Sequence, residues 1–81
     1  MRIEIYDKGD NLIASWDVDL DTCERFKELS DEEVILEVAT GIGVSLKNMG
    51  IELSLNGIVN EWGRLRVCGR EIVLEAGNSR L

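Results

Sequence analysis

Apolar and polar positions alternate with a period of two at both ends of this chain and change to a helical spacing in its middle third. Residues 2–6 alternate, with Ile3 and Ile5 on one side. Asp7-Lys8-Gly9-Asp10-Asn11 is dense in turn formers. From Leu12 onward Leu12, Ala14, Trp16, Val18 and Leu20 fall in one row and Ser15, Asp17 and Asp19 in the other, with Asp21 next in that row. Such alternation predicts a strand with one buried face, so the chain opens as a β-hairpin.

The spacing then lengthens. Cys23, Phe26 and Leu29 recur every third residue, which predicts a short helix with a narrow apolar stripe. Asp21 with Glu24 fits a capping box at its start, and Ser30 with Glu33 fits a stronger one for a second helix over residues 31–40. That helix buries Val34, Ile35, Val38 and Ala39, and Gly41 is placed to stop it. Residues 44–49 read either as a further turn or two closed by Gly50 or as the same helix running past Gly41.

Strand chemistry returns in the last third. Ile51, Leu53 and Leu55 alternate with Glu52 and Ser54, and Asn56-Gly57 follows, a strong short-range hairpin signal. Residues 58–62 read as the return strand, broken by Gly63; residues 64–68 and 72–76 read as two more, joined through Gly69-Arg70, with a loose tail from Gly77. The order is ββαα followed by about four short strands. It predicts an α+β fold in one domain, residues 1–81: a largely antiparallel sheet with two helices, or three, on one face.

Composition is ordinary for a globular chain, 44% apolar and 31% charged. No apolar run is long enough to span a membrane. The opening Met1-Arg2-Ile3-Glu4-Ile5 reads as a strand and not as a secretion signal, so the expected location is the cytoplasm. In a reducing compartment Cys23 and Cys68 are expected to be small core residues, and a disulfide forms only if the fold brings them together. With no histidine and two widely separated cysteines, a zinc or iron–sulfur site within one chain is not expected.

Charge changes the picture most. Residues 17–37 hold nine carboxylates (Asp17, Asp19, Asp21, Glu24, Glu28, Asp31, Glu32, Glu33, Glu37) against Arg25 and Lys27, the whole of the chain's formal −7. Such a field attracts cations or a basic surface and repels nucleic acid and anionic lipid. Acids in the first turn of a helix have a simple origin in its dipole, which accounts for Asp31, Glu32 and Glu33. Glu24 and Glu28, four apart, repel each other, and tolerating that repulsion favours a counterion.

The sharpest pattern is Asp17-Val18-Asp19-Leu20-Asp21 followed by Glu28. Counted from Asp17, carboxylates stand at positions 1, 3, 5 and 12, the main side-chain positions of a calcium loop of the EF-hand type. The remainder departs from that loop: Thr22 occupies the glycine position, Glu24 the apolar anchor, and a strand precedes it where a helix belongs. What remains is an acidic strand–helix corner. Residues two apart on a straight strand are separated by about 6.6 Å, so the carboxylates share an ion only if the chain bends there. Asp17, Asp19 and Asp21 would be the principal ligands for Ca²⁺, with Glu24 or Glu28 completing the shell, at an affinity on the order of 10⁻⁴ to 10⁻³ M. The plainer reading makes Asp17 and Asp19 a solvated strand face and Asp21 a helix cap.

The opening MRIEIYDKGDNLIASW, the acidic DVDLDTCERFKELSDEEV and the β-rich end resemble small acidic α+β proteins of methanogenic archaea. The resemblance lies in organisation and composition; it implies calcium binding and assigns no individual ligand.

Other segments carry less. Residues 41–47 lack the third glycine and the Gly-Lys-Ser/Thr order of a phosphate loop, and a helix precedes them. Arg64, Arg66 and Arg70 form a short basic row that either answers the acidic region or is a solvated strand face. Trp16 belongs to the buried row, whereas Trp62 beside Gly63 reads as core or as an exposed contact residue. No nucleophile with a base partner stands out, so an enzyme is not expected. Two functions remain: a small non-enzymatic protein that binds a divalent cation at the acidic corner, and an acidic interaction module, in one form a mimic of nucleic-acid charge, that binds a basic protein surface.

Overall fold

The computed structural model describes residues 1–74. The fold is α+β, with a four-stranded antiparallel sheet and three helices among the described residues. The described residues form two compact units: residues 1–28 with residues 62–74, and Leu29–Glu61, inserted between them in sequence.

The first unit holds β1 (Arg2–Asp7), β2 (Leu12–Asp17), α1 (Leu20–Lys27), β3 (Trp62–Val67) and β4 (Arg70–Val73). The sheet order is β2-β1-β3-β4 with every neighbour antiparallel. The β1–β2 turn is organised by Asp7, whose Oδ1 accepts hydrogen bonds from the backbone N–H of Gly9 and Asn11, both at 2.9 Å. Ile3, Ile5, Leu65, Val67 and Ile72 are buried in the sheet, and Cys23 and Phe26 are the buried residues of α1.

Two register shifts at the level of Tyr6 alter the alternation read from sequence. In β2 the pairing passes from Ile5↔Ala14 to Tyr6↔Leu12, leaving Ile13 as an extra residue. Leu12 therefore shares a face with Tyr6 and not with Ala14 and Trp16, and it is exposed. In β3 the pairing passes from Tyr6↔Arg64 to Asp7↔Trp62, leaving Gly63 extra. This bulge turns Trp62 onto the side of Ile5 and Leu65, where it is buried at 4% exposure, which removes the exposed-contact reading. Gly63 does not break the strand; it lies within it because only glycine fits against Asp7, as its near contacts require.

The second unit consists of α2 (Asp31–Asn48) and α3 (Leu55–Val59), with Val34, Val38, Ala39 and Ile58 buried. The capping box at Ser30 and Glu33 is formed. Gly41 does not stop α2, which runs through Gly41 and Gly43 and ends ahead of Gly50, at φ +84°. A helical glycine costs only about 1 kcal/mol, too little by itself to end a helix.

Residues 51–55 are not a strand, and Asn56-Gly57 is not a hairpin turn. Ser54 caps α3, its Oγ accepting from the Gly57 N–H at 3.0 Å, so the Asn-Gly pair lies in the first turn of a helix. The return strand over residues 58–62 is absent for the same reason. Two strands, not four, close the described chain. The strand expected over 72–76 is seen as β4, ending at Val73; its end beyond Leu74 and the tail from Gly77 lie outside the described residues.

Candidate functional site

The acidic corner lies in the first unit, where β2 gives way to α1. Asp17 closes β2 and is opposed by Arg2 on β1, with Arg2 Nη1 3.2 Å from Asp17 Oδ1. Val18 is held by its N–H donating to the Met1 carbonyl at 2.8 Å, which carries the sheet one step further. Asp19 is extended, at φ −82° and ψ 171°, and is the N-cap of α1. Its Oδ1 accepts from the Thr22 N–H at 2.8 Å. Hydrogen bonds from the Thr22 side chain and backbone hold the Asp19 carboxyl below the usual aspartate range, against a smaller opposing effect of desolvation. Capping therefore falls to Asp19 and not to Asp21, which sits in the first turn beside the helix dipole.

Glu24 pairs with Lys27 at 3.3 Å along one face of α1. Glu28 is the C-cap, at the far end of the helix. Nine residues separate Asp19 from Glu28, about 13 Å along a helix axis, so these two carboxylates do not meet at one ion. The structure thus places Asp17, Asp19, Asp21, Glu24 and Glu28 along the end of a strand and the length of a helix. Among the described residues, no group of three or more Asp, Glu or Cys side chains stands together in a way that could hold a metal ion.

All nine carboxylates of residues 17–37 are exposed. Those of the second unit begin α2, where Glu33 Oε1 accepts from the Ser30 N–H at 2.9 Å. That bond, with the Ser30 hydroxyl, lowers the Glu33 carboxyl from its ordinary value.

The basic row has partners of its own. Arg64 and Arg66 project from the sheet face opposite Leu65 and Val67. The Arg64 guanidinium stacks 4.0 Å from the centre of the Tyr6 ring, lies 2.7 Å from Asp10 Oδ1 and 3.5 Å from Glu71 Oε1. The Asp10 hydrogen bond chiefly holds Arg64 protonated even more firmly than usual. Arg66 reaches Glu71 at 4.0 Å. Arg70 leaves the row, donating from Nη1 to the Phe26 carbonyl at 3.1 Å. Arg2 answers one of the acidic residues, Asp17, and nothing in its own spacing marks it for that role.

Sequence spacing also missed the covalent bond of the unit. Cys23 on α1 and Cys68 at the β3–β4 turn form a disulfide, with Cα atoms 5.8 Å apart. They are not two separate small core residues. Their separation of 45 positions hides the pairing, which exists because α1 and that turn lie side by side.

The second unit carries an open hollow of about 560 Å³ lined by Val44, Lys47, Ile51, Leu53, Leu55 and Ile58, among others. Its walls are largely apolar, and Val44, Ile51, Leu53 and Leu55 are each more than 40% exposed.

The chain matches no protein-family model, no curated protein and no solved structure. Among the described residues, no helix is long and apolar enough to cross a membrane.

Proposed function

We propose that this chain is a small, non-enzymatic acidic module that engages a basic surface on another protein through residues 17–37. The single observation behind the reading is that all nine carboxylates of that segment are exposed and distributed. Dispersed charge of one sign acts through its summed field: it speeds encounter with a complementary surface and sets register on it, and its effect falls as salt screens it. Chelation needs the opposite arrangement, several oxygens within about 2.6 Å of one point. Calcium binding at Asp17, Asp19, Asp21, Glu24 or Glu28 is the rival proposal. It rests on the D-x-D-x-D spacing.

Two measurements on the full chain separate the readings. In the first, the immobilised protein is exposed to an extract of its source organism at low and at high salt, beside a variant in which Glu24, Glu28, Glu32 and Glu37 are replaced by Gln. The expected result is a partner with a basic surface, retained at low salt, released at high salt and lost with the variant. Retention that ignores both salt and the substitutions overturns the reading. In the second, amide NMR follows a calcium titration to millimolar concentration. Resonances of residues 17–33 are expected to stay in place, and their saturable movement establishes the calcium site instead.

A further inference from the structure

We propose that the Cys23–Cys68 disulfide is a redox latch on α1: oxidised, it holds the helix in place, and reduced, it lets α1 open while the four-stranded sheet stays formed. The inference is independent of the proposed function, because it concerns only how α1 is held.

An eight-residue helix does not persist in water on its own, since the cost of nucleation is recovered only over a dozen or more residues. The order of α1 must therefore come from its tethers. Of its residues only Cys23 and Phe26 are buried. Asp19 caps its start, and the Arg70 guanidinium holds the Phe26 carbonyl near its end. The covalent tether is Cys23, itself 1% exposed. The sheet has its own ladders and a buried row through Ile3, Ile5, Leu65 and Ile72, none of which depends on the sulfurs.

Cys68 supplies a second, independent observation. It and Gly69 both have positive φ, +52° and +86°, the conformation of a two-residue hairpin turn that favours Asn-Gly. A cysteine adopts this left-handed conformation only at a cost, and here that position is the one whose sulfur reaches α1. Breaking the bond removes the compensation for that backbone.

The bond is also approachable. Cys68 is half-buried and lines a shallow hollow of about 370 Å³ with Met1, Arg2, Glu4, Arg66 and Gly69. The co-reactant is a dithiol. One of its thiolates attacks Cys68 Sγ, the Sγ–Sγ bond breaks, and Cys23 leaves as a thiolate that takes up a proton. The second thiol then attacks the mixed disulfide and releases Cys68, which is protonated in turn. The protein gains two electrons and two protons, and the dithiol becomes a disulfide.

The test uses the full chain, untreated and after dithiothreitol, at one pH. Iodoacetamide labelling read by mass gives the number of reactive thiols, and hydrogen exchange reads each element. The expected result is no labelling before reduction and two labels after it. Amides of α1 should exchange at least tenfold faster in the reduced form, with those of β1 and β3 unchanged. A Cys23→Ala, Cys68→Asn double variant, in which asparagine suits the left-handed turn, should behave like the reduced form. Labelling of untreated protein overturns the bond. Equal protection of α1 in both forms, or loss of protection throughout the sheet, overturns the latch.

Discussion

Gly63 lies so close to Asp7 that a Cβ on it would stand 2.6 Å from the Asp7 carbonyl oxygen and 2.9 Å from the Lys8 Cα. All the near atoms are backbone, so no side chain can move aside to make room. The bulge that brings Trp62 into the core depends on this approach. Gly63→Ala should destabilise the protein by about 1–3 kcal/mol, as overpacking does elsewhere. Urea unfolding followed by tryptophan fluorescence checks it; an unchanged midpoint refutes the close approach.

Gly41 is the contrasting case. Apart from its chain neighbours and the helix's own backbone, nothing lies within 4 Å of a Cβ built there, and the residue sits inside α2 without positive φ. Gly41→Ala removes the entropy cost of glycine without strain and should stabilise by about 0.5–1 kcal/mol. The urea midpoint should rise at unchanged slope. A helix that really ended at Gly41 would gain nothing.

Among the described residues, three carboxyls have their pKa values lowered by hydrogen bonds formed only in the fold. Asp7 is lowered chiefly by the Asn11 N–H, Asp19 by Thr22, and Glu33 by the Ser30 N–H. In acid the unfolded chain therefore binds protons before these folded carboxylates do, so stability falls as pH drops. The urea midpoint should hold from pH 7 to about pH 5 and decline below about pH 4, through the ordinary carboxylate range and beneath it. Glu33→Gln should make that decline shallower. Ser30→Ala, which removes the other half of the box, should cost about 1 kcal/mol at neutral pH.

Ser54 decides the conformation of the segment that follows it. Its side chain caps α3 by accepting from the Gly57 N–H. Carbon chemical shifts of residues 55–59 should be helical, and Ser54→Ala should move them toward coil while the shifts of β3 stay. Extended shifts on either side of Asn56-Gly57 would restore the hairpin.

Local chemistry was legible in the sequence wherever one contiguous segment decides the outcome. The opening hairpin follows from alternation around a run of turn residues, and the start of α2 follows from Ser30 and Glu33, which satisfy each other's backbone. The α+β class and the concentration of charge in residues 17–37 were equally readable, since neither depends on distant partners. Tertiary structure decided the rest. Asn56-Gly57 suits a hairpin by itself, but a cap three residues ahead of Gly57 turns it into helix. Leu12 is exposed and Trp62 is buried because each stands just before an extra residue, Ile13 and Gly63, and a bulge is set by the partner strand, not by the strand's own alternation. Cys23 and Cys68 are bonded because α1 and the β3–β4 turn are neighbours in space. Residue spacing cannot express that proximity: loop closure depends on where both ends are held, and those ends are fixed by packing far from either cysteine.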